Sequence, residues 1–165
     1  MIDYRFDDGG RRVAGYKGEI GDCFIRAVAI LTGEPYKRVY KRVLASMKAH
    51  GYTPTGDPAR AKNVLKPDEV LSSHEHWRGQ KALGWVLRDC LRTSGLVNVP
   101  LPPGARPTYS EAYQRYGNCA VVSWGYSDGD SHIAAIVDGV LQDTFDSRLT
   151  ESGSERKARM VWAWG

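Results

Sequence analysis

The chain has 165 residues, of which 42% are hydrophobic and 25% are charged, and its formal net charge is +4 at pH 7. This length and composition are typical of one globular domain, and we interpret residues 1–165 as a single domain. No stretch approaches the 18 consecutive apolar residues of a membrane span, and residues 1–12 lack the charged head and apolar run of a secretory signal. The three cysteines, Cys23, Cys90 and Cys119, cannot all pair and match no zinc pattern, so we expect free thiols in a reducing, cytoplasmic compartment.

The chain is predicted to begin with a polar segment that is followed by a helix. Residues 1–18 are polar and interrupted by glycine, and we interpret them as a loose arm or an edge strand. A first helix is expected over residues 23–32. Asp22 is a favourable N-cap residue for this helix, and Gly33 is a favourable residue for its end.

Apolar residues repeat at helical spacing in further segments of the first two thirds of the chain. Helices are predicted over residues 35–50 and 80–94. A shorter helix is expected to begin after Thr108, because Thr108 and Glu111 have the spacing of a capping box. The connections between these helices are polar or rich in proline and cover residues 51–76 and 98–107.

The last third of the chain changes to the two-residue period of β-strands. The predicted strands cover residues 119–124, 132–137, 140–145 and 158–164. Between the second and third of these strands, Asp138 and Gly139 form a two-residue hairpin signal. Helices followed by strands predict an α+β fold, in which N-terminal helices pack on a C-terminal antiparallel β-sheet.

Cys23 is the candidate nucleophile, because it is predicted to lie in the first turn of a helix. The start of a helix carries partial positive charge and unpaired N–H groups, which favour the reactive thiolate and can bind an oxyanion. A negative charge on the adjacent Asp22 works against the thiolate. On position alone, a cysteine that only fills the core remains the alternative.

His132 is the candidate base, and it opens a predicted strand. With a two-residue turn at 138–139, Ala134 faces Asp143 across the hairpin. Asp143 then projects from the same face as His132 and lies diagonally opposite, within reach of a side-chain contact. Asp143 is therefore the candidate to orient the imidazole, and Asp146 is the alternative; a bulge would shift this register by one residue.

The segments GDCFIRAVAILTGEPY at 21–36 and SHIAAIVDGVLQDTFDSR at 131–148 resemble papain-like cysteine peptidases. The resemblance is greatest to small phage and bacterial members, which combine a Gly-Asp-Cys helix start with a histidine strand and an Asp-Gly hairpin. It implies a papain-like fold in which the nucleophilic cysteine opens the first long helix. It also implies that a histidine begins a sheet strand and that an Asn or Asp on the next strand orients it. The order Cys23, His132, Asp143 reproduces this arrangement.

The resemblance implies a thiol hydrolase that acts on peptide or isopeptide bonds through an acyl-thioester, without a cofactor or metal. Many papain-like enzymes carry a Gln or Asn shortly before the cysteine, whose amide donates to the oxyanion. This chain has no amide there, and the helper candidates are Lys17 and Asp22. Three alternatives stay open. They are another acyl-transfer enzyme, such as a cell-wall amidase or a transglutaminase, a catalytically silent papain-like binding module of a phage, and a nucleic-acid binder that uses the basic second helix.

Two other patterns are interpreted as solvated surface. His74 and His76 lack a third metal ligand, so no metal site is expected. Five basic side chains of the second helix lie opposite its apolar stripe and are Lys37, Arg38, Lys41, Arg42 and Lys48. A nucleic-acid binder that uses this basic face is the lesser interpretation of these side chains. The resemblance implies a peptide or protein substrate and no membrane partner, in the cytoplasm of a bacterial host or in a virion.

Overall fold

A six-stranded sheet and three helices are seen in the computed structural model, which describes residues 1–16, 22–49, 88–124 and 131–165. The strands are β1 (Asp3–Phe6), β2 (Leu96–Asn98), β3 (Cys119–Trp124), β4 (Ser131–Val137), β5 (Val140–Asp143) and β6 (Met160–Trp164). The helices are α1 (Cys23–Thr32), α2 (Tyr36–Ala49) and α3 (Tyr109–Tyr116), and residues 88–93 are also helical. The predicted α+β class is confirmed.

The order of strands in the sheet is β1-β5-β4-β3-β6-β2. Four antiparallel pairings join β5 through to β2, and β1 lies parallel to β5 at one edge. The prediction of an antiparallel sheet is therefore wrong at β1. Residues 1–18 were expected to form a loose arm or an edge strand, and Asp3–Phe6 form the edge strand. The sequence of β1 alternates polar and apolar residues, as is typical of a strand, but this alternation does not identify the neighbouring strand or its direction.

The predicted ends of the helices follow from their capping residues. Gly33 ends α1 in the left-handed conformation, with φ 69°, which glycine adopts without steric strain. The capping box of α3 is present: the Glu111 backbone N–H donates to Thr108 Oγ1 at 3.2 Å, and the Thr108 N–H donates to Glu111 Oε2 at 2.8 Å. Helix α2 begins one residue after Pro35. Of the predicted helix 80–94, only the part from residue 88 lies within the described residues.

The hairpin between β4 and β5 has the register that the sequence predicts. Asp138 and Gly139 both have positive φ, 52° and 77°, as a two-residue turn with the right twist requires. The resulting cross-strand pairs are Val137 with Val140, Ile136 with Leu141, and Ala135 with Gln142. No bulge interrupts these pairs, so Ala134 and Asp143 are next in line. Strand β5 ends at Asp143, two residues before the predicted end.

The sheet separates two layers of core. Ile133 and Ala135 of β4 pack with α1 and α2, whereas the alternate residues, Ala134 and Ile136, pack with α3. Helix α1 lies against β4 and β5. This alternation is the expected consequence of the two-residue period of a strand with a core on each side.

Residues 7–16, which follow β1, approach α1 closely at Gly9. A Cβ atom at Gly9 would lie 3.0 Å from both Cα and O of Arg26, so only a glycine allows this approach. The Asp7 N–H also donates to the Asp143 carbonyl at 2.9 Å. Residues 7–16 therefore connect the edge strand to the start of α1.

Replacing Gly9 by alanine should destabilise the protein more than replacing Gly10. Both residues have positive φ, 62° and 81°, but a Cβ at Gly10 meets no described atom within 4 Å. Gly10→Ala should lower the free energy of unfolding by about 1 kcal/mol through backbone strain alone. Gly9→Ala adds a steric clash, worth roughly 1 to 3 kcal/mol more. Urea unfolding of the two variants measures the difference, and equal losses would contradict the close packing on α1.

Candidate active site

His132 and Asp143 form a buried pair where β4 begins and β5 ends. His132 Nε2 lies 2.5 Å from Asp143 Oδ2, and the two residues are 8% and 3% exposed. Two further donors fix the carboxylate: Ser147 Oγ at 3.1 Å and the Thr144 backbone N–H at 2.7 Å. The predicted contact between His132 and Asp143 is confirmed. Because an ionised Asp143 accepts from Nε2, the basic nitrogen of the neutral imidazole is Nδ1.

Asp146, the alternative partner of His132, binds elsewhere. Its carboxylate accepts hydrogen bonds from Arg148 Nε at 2.8 Å and Nη2 at 2.7 Å, and from the Arg148 backbone N–H at 3.1 Å. These hydrogen bonds lower the pKa of Asp146. The alternative assignment is wrong because Arg148 holds the Asp146 carboxylate, while Asp143 is the carboxylate at Nε2 of His132.

Phe145 covers one side of the imidazole. Its ring centroid lies 4.8 Å from that of His132, and the planes are tilted by 45°. The phenyl ring itself is 43% exposed. An apolar ring at this position excludes water from one side of His132 and presents an apolar surface to solvent at the site.

Asp22 immediately precedes Cys23 and is 1% exposed. It occupies the N-cap position of α1, but its side chain makes no capping hydrogen bond. Its carboxylate instead forms ion pairs with Arg26 and with Arg11 Nε, the latter at 2.8 Å, and accepts a hydrogen bond from the Tyr36 hydroxyl at 2.6 Å. The predicted capping role is wrong, because two guanidinium groups and a phenol are available to this carboxylate as stronger partners than backbone amides.

These contacts change the expected effect of Asp22 on the cysteine. Two guanidinium groups offset the negative charge that would otherwise disfavour a thiolate at Cys23. A carboxylate paired in this way is ionised and has no proton to donate, which argues against Asp22 as an oxyanion donor. Lys17, the other helper candidate, lies outside the described residues.

Arg26 joins the start of α1 to the histidine–aspartate pair. Its Nη1 binds Asp22 Oδ1, and its Nη2 lies 3.9 Å from Asp143 Oδ1. Arg26 was not predicted to be a site residue. The sequence nevertheless indicates its importance, because Arg26 is the only charged residue in the otherwise apolar sequence of α1.

Cys23 therefore lies at the same end of the molecule as His132 and Asp143. It is the first residue of α1 and adjoins Asp22, and one guanidinium spans from Asp22 to Asp143. By strand alternation, His132 and Asp143 project from the same face of the sheet as Ala134 and Leu141, which belong to the core on the α3 side. Because Asp143 nevertheless pairs with Arg26 of α1, the site lies at the end of the sheet and not on the face that α1 covers.

The three cysteines have different surroundings. Cys23 is partly exposed, whereas Cys90 and Cys119 are 2% and 0% exposed, and all three are free thiols. Burial raises the pKa of Cys119 to about 12 and also raises the pKa of Cys90. The two buried cysteines are core residues, as expected, and Cys23 is the accessible thiol.

The remaining sequence assignments are not part of this site. His74, His76 and the predicted loop 51–76 lie outside the described residues. Within the described ranges, no cluster of three metal-ligating side chains is present, and no helix is long and apolar enough to cross a membrane. On α2, Lys37 and Lys41 are exposed, and Arg38 and Arg42 pair with Glu34, as expected for a solvated face.

Alkylation of the native protein by iodoacetamide at neutral pH should modify Cys23 and spare Cys90 and Cys119. Exposure and thiolate formation both favour reaction at Cys23. Peptide mapping by mass spectrometry identifies the modified residue, and alkylation in denaturant, where all three thiols should react, is the control. Modification of Cys119 at the rate of Cys23 would contradict this description of the core.

Asp22→Asn should destabilise the protein by about 3 kcal/mol, because it removes one partner of a buried ion-paired cluster. The matched control is Asp146→Asn, which breaks the more exposed pair with Arg148 and should change the free energy of unfolding by less than about 1 kcal/mol. Urea unfolding measures both. Equal effects of the two substitutions would show that the Asp22 cluster contributes no more than a surface ion pair.

Comparison with models of protein families, with curated proteins and with solved structures found no match to this chain. Its function is therefore inferred from the residues and the geometry of this site.

Proposed function

We propose that the protein is a papain-like cysteine hydrolase, acting as a peptidase or isopeptidase, with Cys23, His132 and Asp143 as its catalytic triad. One observation carries this proposal: a single guanidinium, that of Arg26, contacts both the residue before Cys23 and the partner of His132. A partly exposed thiol at a helix start and a buried histidine–aspartate pair are thereby brought to one end of the sheet. These are the parts that nucleophilic acyl transfer by cysteine requires.

The reaction begins when His132 Nδ1 takes the proton of Cys23 and the thiolate attacks the carbonyl carbon of the substrate. The new C–S bond forms as the carbonyl electron pair moves to oxygen. Collapse of this intermediate breaks the C–N bond, and the imidazolium protonates the leaving amine. Water, deprotonated by His132, then hydrolyses the acyl-thioester and regenerates the thiol.

Asp143 determines which tautomer of His132 takes part. Its carboxylate accepts from Nε2 and is held by Ser147 and Thr144, so the ring cannot rotate without breaking this hydrogen bond. The imidazolium that forms during the reaction is stabilised by the same carboxylate. Phe145 keeps water from one side of this pair, which strengthens the interaction between the two charges.

The first turn of α1 is the proposed oxyanion site. Its backbone N–H groups are not capped by the Asp22 carboxylate, and the start of the helix carries partial positive charge. A substrate carbonyl attacked by Cys23 develops its negative charge close to these groups. Backbone donors thus take the role of the side-chain amide that this sequence lacks before the cysteine.

The order of elements is consistent with a papain-like fold. The candidate cysteine opens α1, the histidine lies at the start of a strand, and the aspartate ends the next strand of the same hairpin. The three free thiols suit a reducing compartment, such as the cytoplasm of a bacterium or of a phage-infected cell.

Turnover of a library of internally quenched peptides, including isopeptide-linked ones, tests the proposal. Cys23→Ser and His132→Ala should each lower kcat/KM by at least about 10³-fold for any substrate found. Cys90→Ser is the matched control, because it replaces a core thiol away from the site, and it should retain activity if it folds. Asp143→Ala should lower kcat/KM by about 10²-fold or more through loss of the imidazole orientation.

A second measurement separates an active site from a silent one. In the proposed enzyme, alkylation of Cys23 near neutral pH depends on His132, so His132→Ala should slow it at least about 10-fold. Equal alkylation of Cys23 in wild type and His132→Ala, together with no turnover, would favour the catalytically silent binding module.

A further inference from the structure

Arg26 is buried in α1, and every other buried residue of this helix is apolar. It is 8% exposed, and its buried neighbours along α1 are Phe24, Ile25, Ala27, Val28, Ala29 and Leu31. Placing an ionised guanidinium there is unfavourable unless carboxylates compensate its charge. A leucine or methionine would fill the same space without that penalty. The presence of an arginine at this position is therefore explained by the contacts of its guanidinium.

Those contacts are with two carboxylates that have different surroundings. Asp22 holds the start of α1 and receives the Tyr36 hydroxyl, and Asp143 holds His132. Arg26 pairs with the first through Nη1 and lies 3.9 Å from the second through Nη2. The second distance is too long for a hydrogen bond, so Arg26 acts on Asp143 through charge.

Among the described residues, the ion-paired side chains at this end of the sheet carry no net charge. The charged and titratable side chains joined by contacts there are Tyr4 of β1, Arg11 and Asp22 before α1, Arg26 in α1, Tyr36 of α2, His132 of β4 and Asp143 of β5. Cys23 adjoins Asp22, Asp7 lies beside Asp143 through a backbone hydrogen bond, and the Tyr16 ring packs on Tyr36. Asp146 and Arg148 form a separate pair beside Tyr4. Two guanidiniums and two carboxylates sum to zero when His132 and Cys23 are neutral, and moving the proton from Cys23 to His132 keeps that sum.

We propose that Arg26 is a positioning residue of the catalytic triad, which balances the buried carboxylates of Asp22 and Asp143 so that the thiolate of Cys23 forms near neutral pH. This inference rests on the proposed function, since it assigns Arg26 a role in the reaction of Cys23 with His132. Arg26 is not assigned a contact with the substrate in this role. It acts through the carboxylates on either side of it.

Loss of the guanidinium has a defined electrostatic consequence. Without Arg26, two carboxylates face one cation, Arg11, and the end of the sheet carries one net negative charge. Asp22, adjacent to Cys23, keeps its pair with Arg11 but loses its second cation, so its less compensated charge opposes a negative charge on the sulfur. The thiolate should therefore form at higher pH, even where the fold is retained.

The experiment is the pH dependence of Cys23 alkylation by iodoacetamide, followed residue by residue by mass spectrometry. In Arg26→Met, the pH of half-maximal rate should rise by about one unit relative to wild type. Arg26→Lys keeps the charge and should bring this midpoint back most of the way. Arg42→Met is the matched control, because it removes an ion-paired arginine of α2 whose partner is Glu34, and its midpoint should stay at the wild-type value.

A double variant keeps the test decisive if Arg26→Met folds poorly. Asp22→Asn combined with Arg26→Met removes one charge of each sign and should return the midpoint to that of wild type. A purely structural role for Arg26 predicts lower stability with an unchanged midpoint in Arg26→Met, or a double variant still shifted upward, and either result overturns the inference.

His132→Ala in the same assay distinguishes failure of the role of Arg26 from failure of the proposed function. If His132→Ala raises the midpoint but Arg26→Met does not, the triad stands and the role of Arg26 fails. If His132→Ala leaves the midpoint unchanged, the proposed function fails.

Discussion

The buried guanidinium of Arg26 is the interaction on which the arrangement of this end of the molecule depends. It lies between a carboxylate at the start of α1 and a carboxylate at the end of β5, so a helix and a hairpin far apart in sequence meet through one side chain. Neither carboxylate would remain buried and ionised without cationic or hydrogen-bonding partners. The ion pairs, more than the apolar layers, therefore determine which residues share this site.

Much of the framework was predictable because it is local. Gly33 ends α1, the Thr108 capping box starts α3, and the two turn residues at 138–139 fix the hairpin register. That register alone placed Asp143 beside His132, because strand alternation leaves few choices once the turn length is known. Each of these sequence signals lies within a few residues of the helix end or turn that it specifies.

The errors concern partners from distant parts of the chain. Asp22 has the sequence of a helix cap, but Arg11 and Tyr36, which precede and follow α1, take its oxygens. Strand β1 is held by parallel backbone pairing with β5, a strand far away in the sequence. A local sequence pattern does not indicate which distant cation or strand will contact a residue. These contacts could therefore not be predicted from the sequence and are known only from the structure.

The pairing of β1 with β5 also has a consequence for synthesis of the protein. Strand β1 can pair with its neighbour only when Val140–Asp143 has left the ribosome, so this edge of the sheet closes long after β1 itself has been made. Pairings of such large sequence separation form slowly, since a long loop must be closed first. The thiol of Cys23 is therefore synthesised well before the histidine–aspartate pair of the β4–β5 hairpin, and Arg26 has no Asp143 to face until that hairpin has been made.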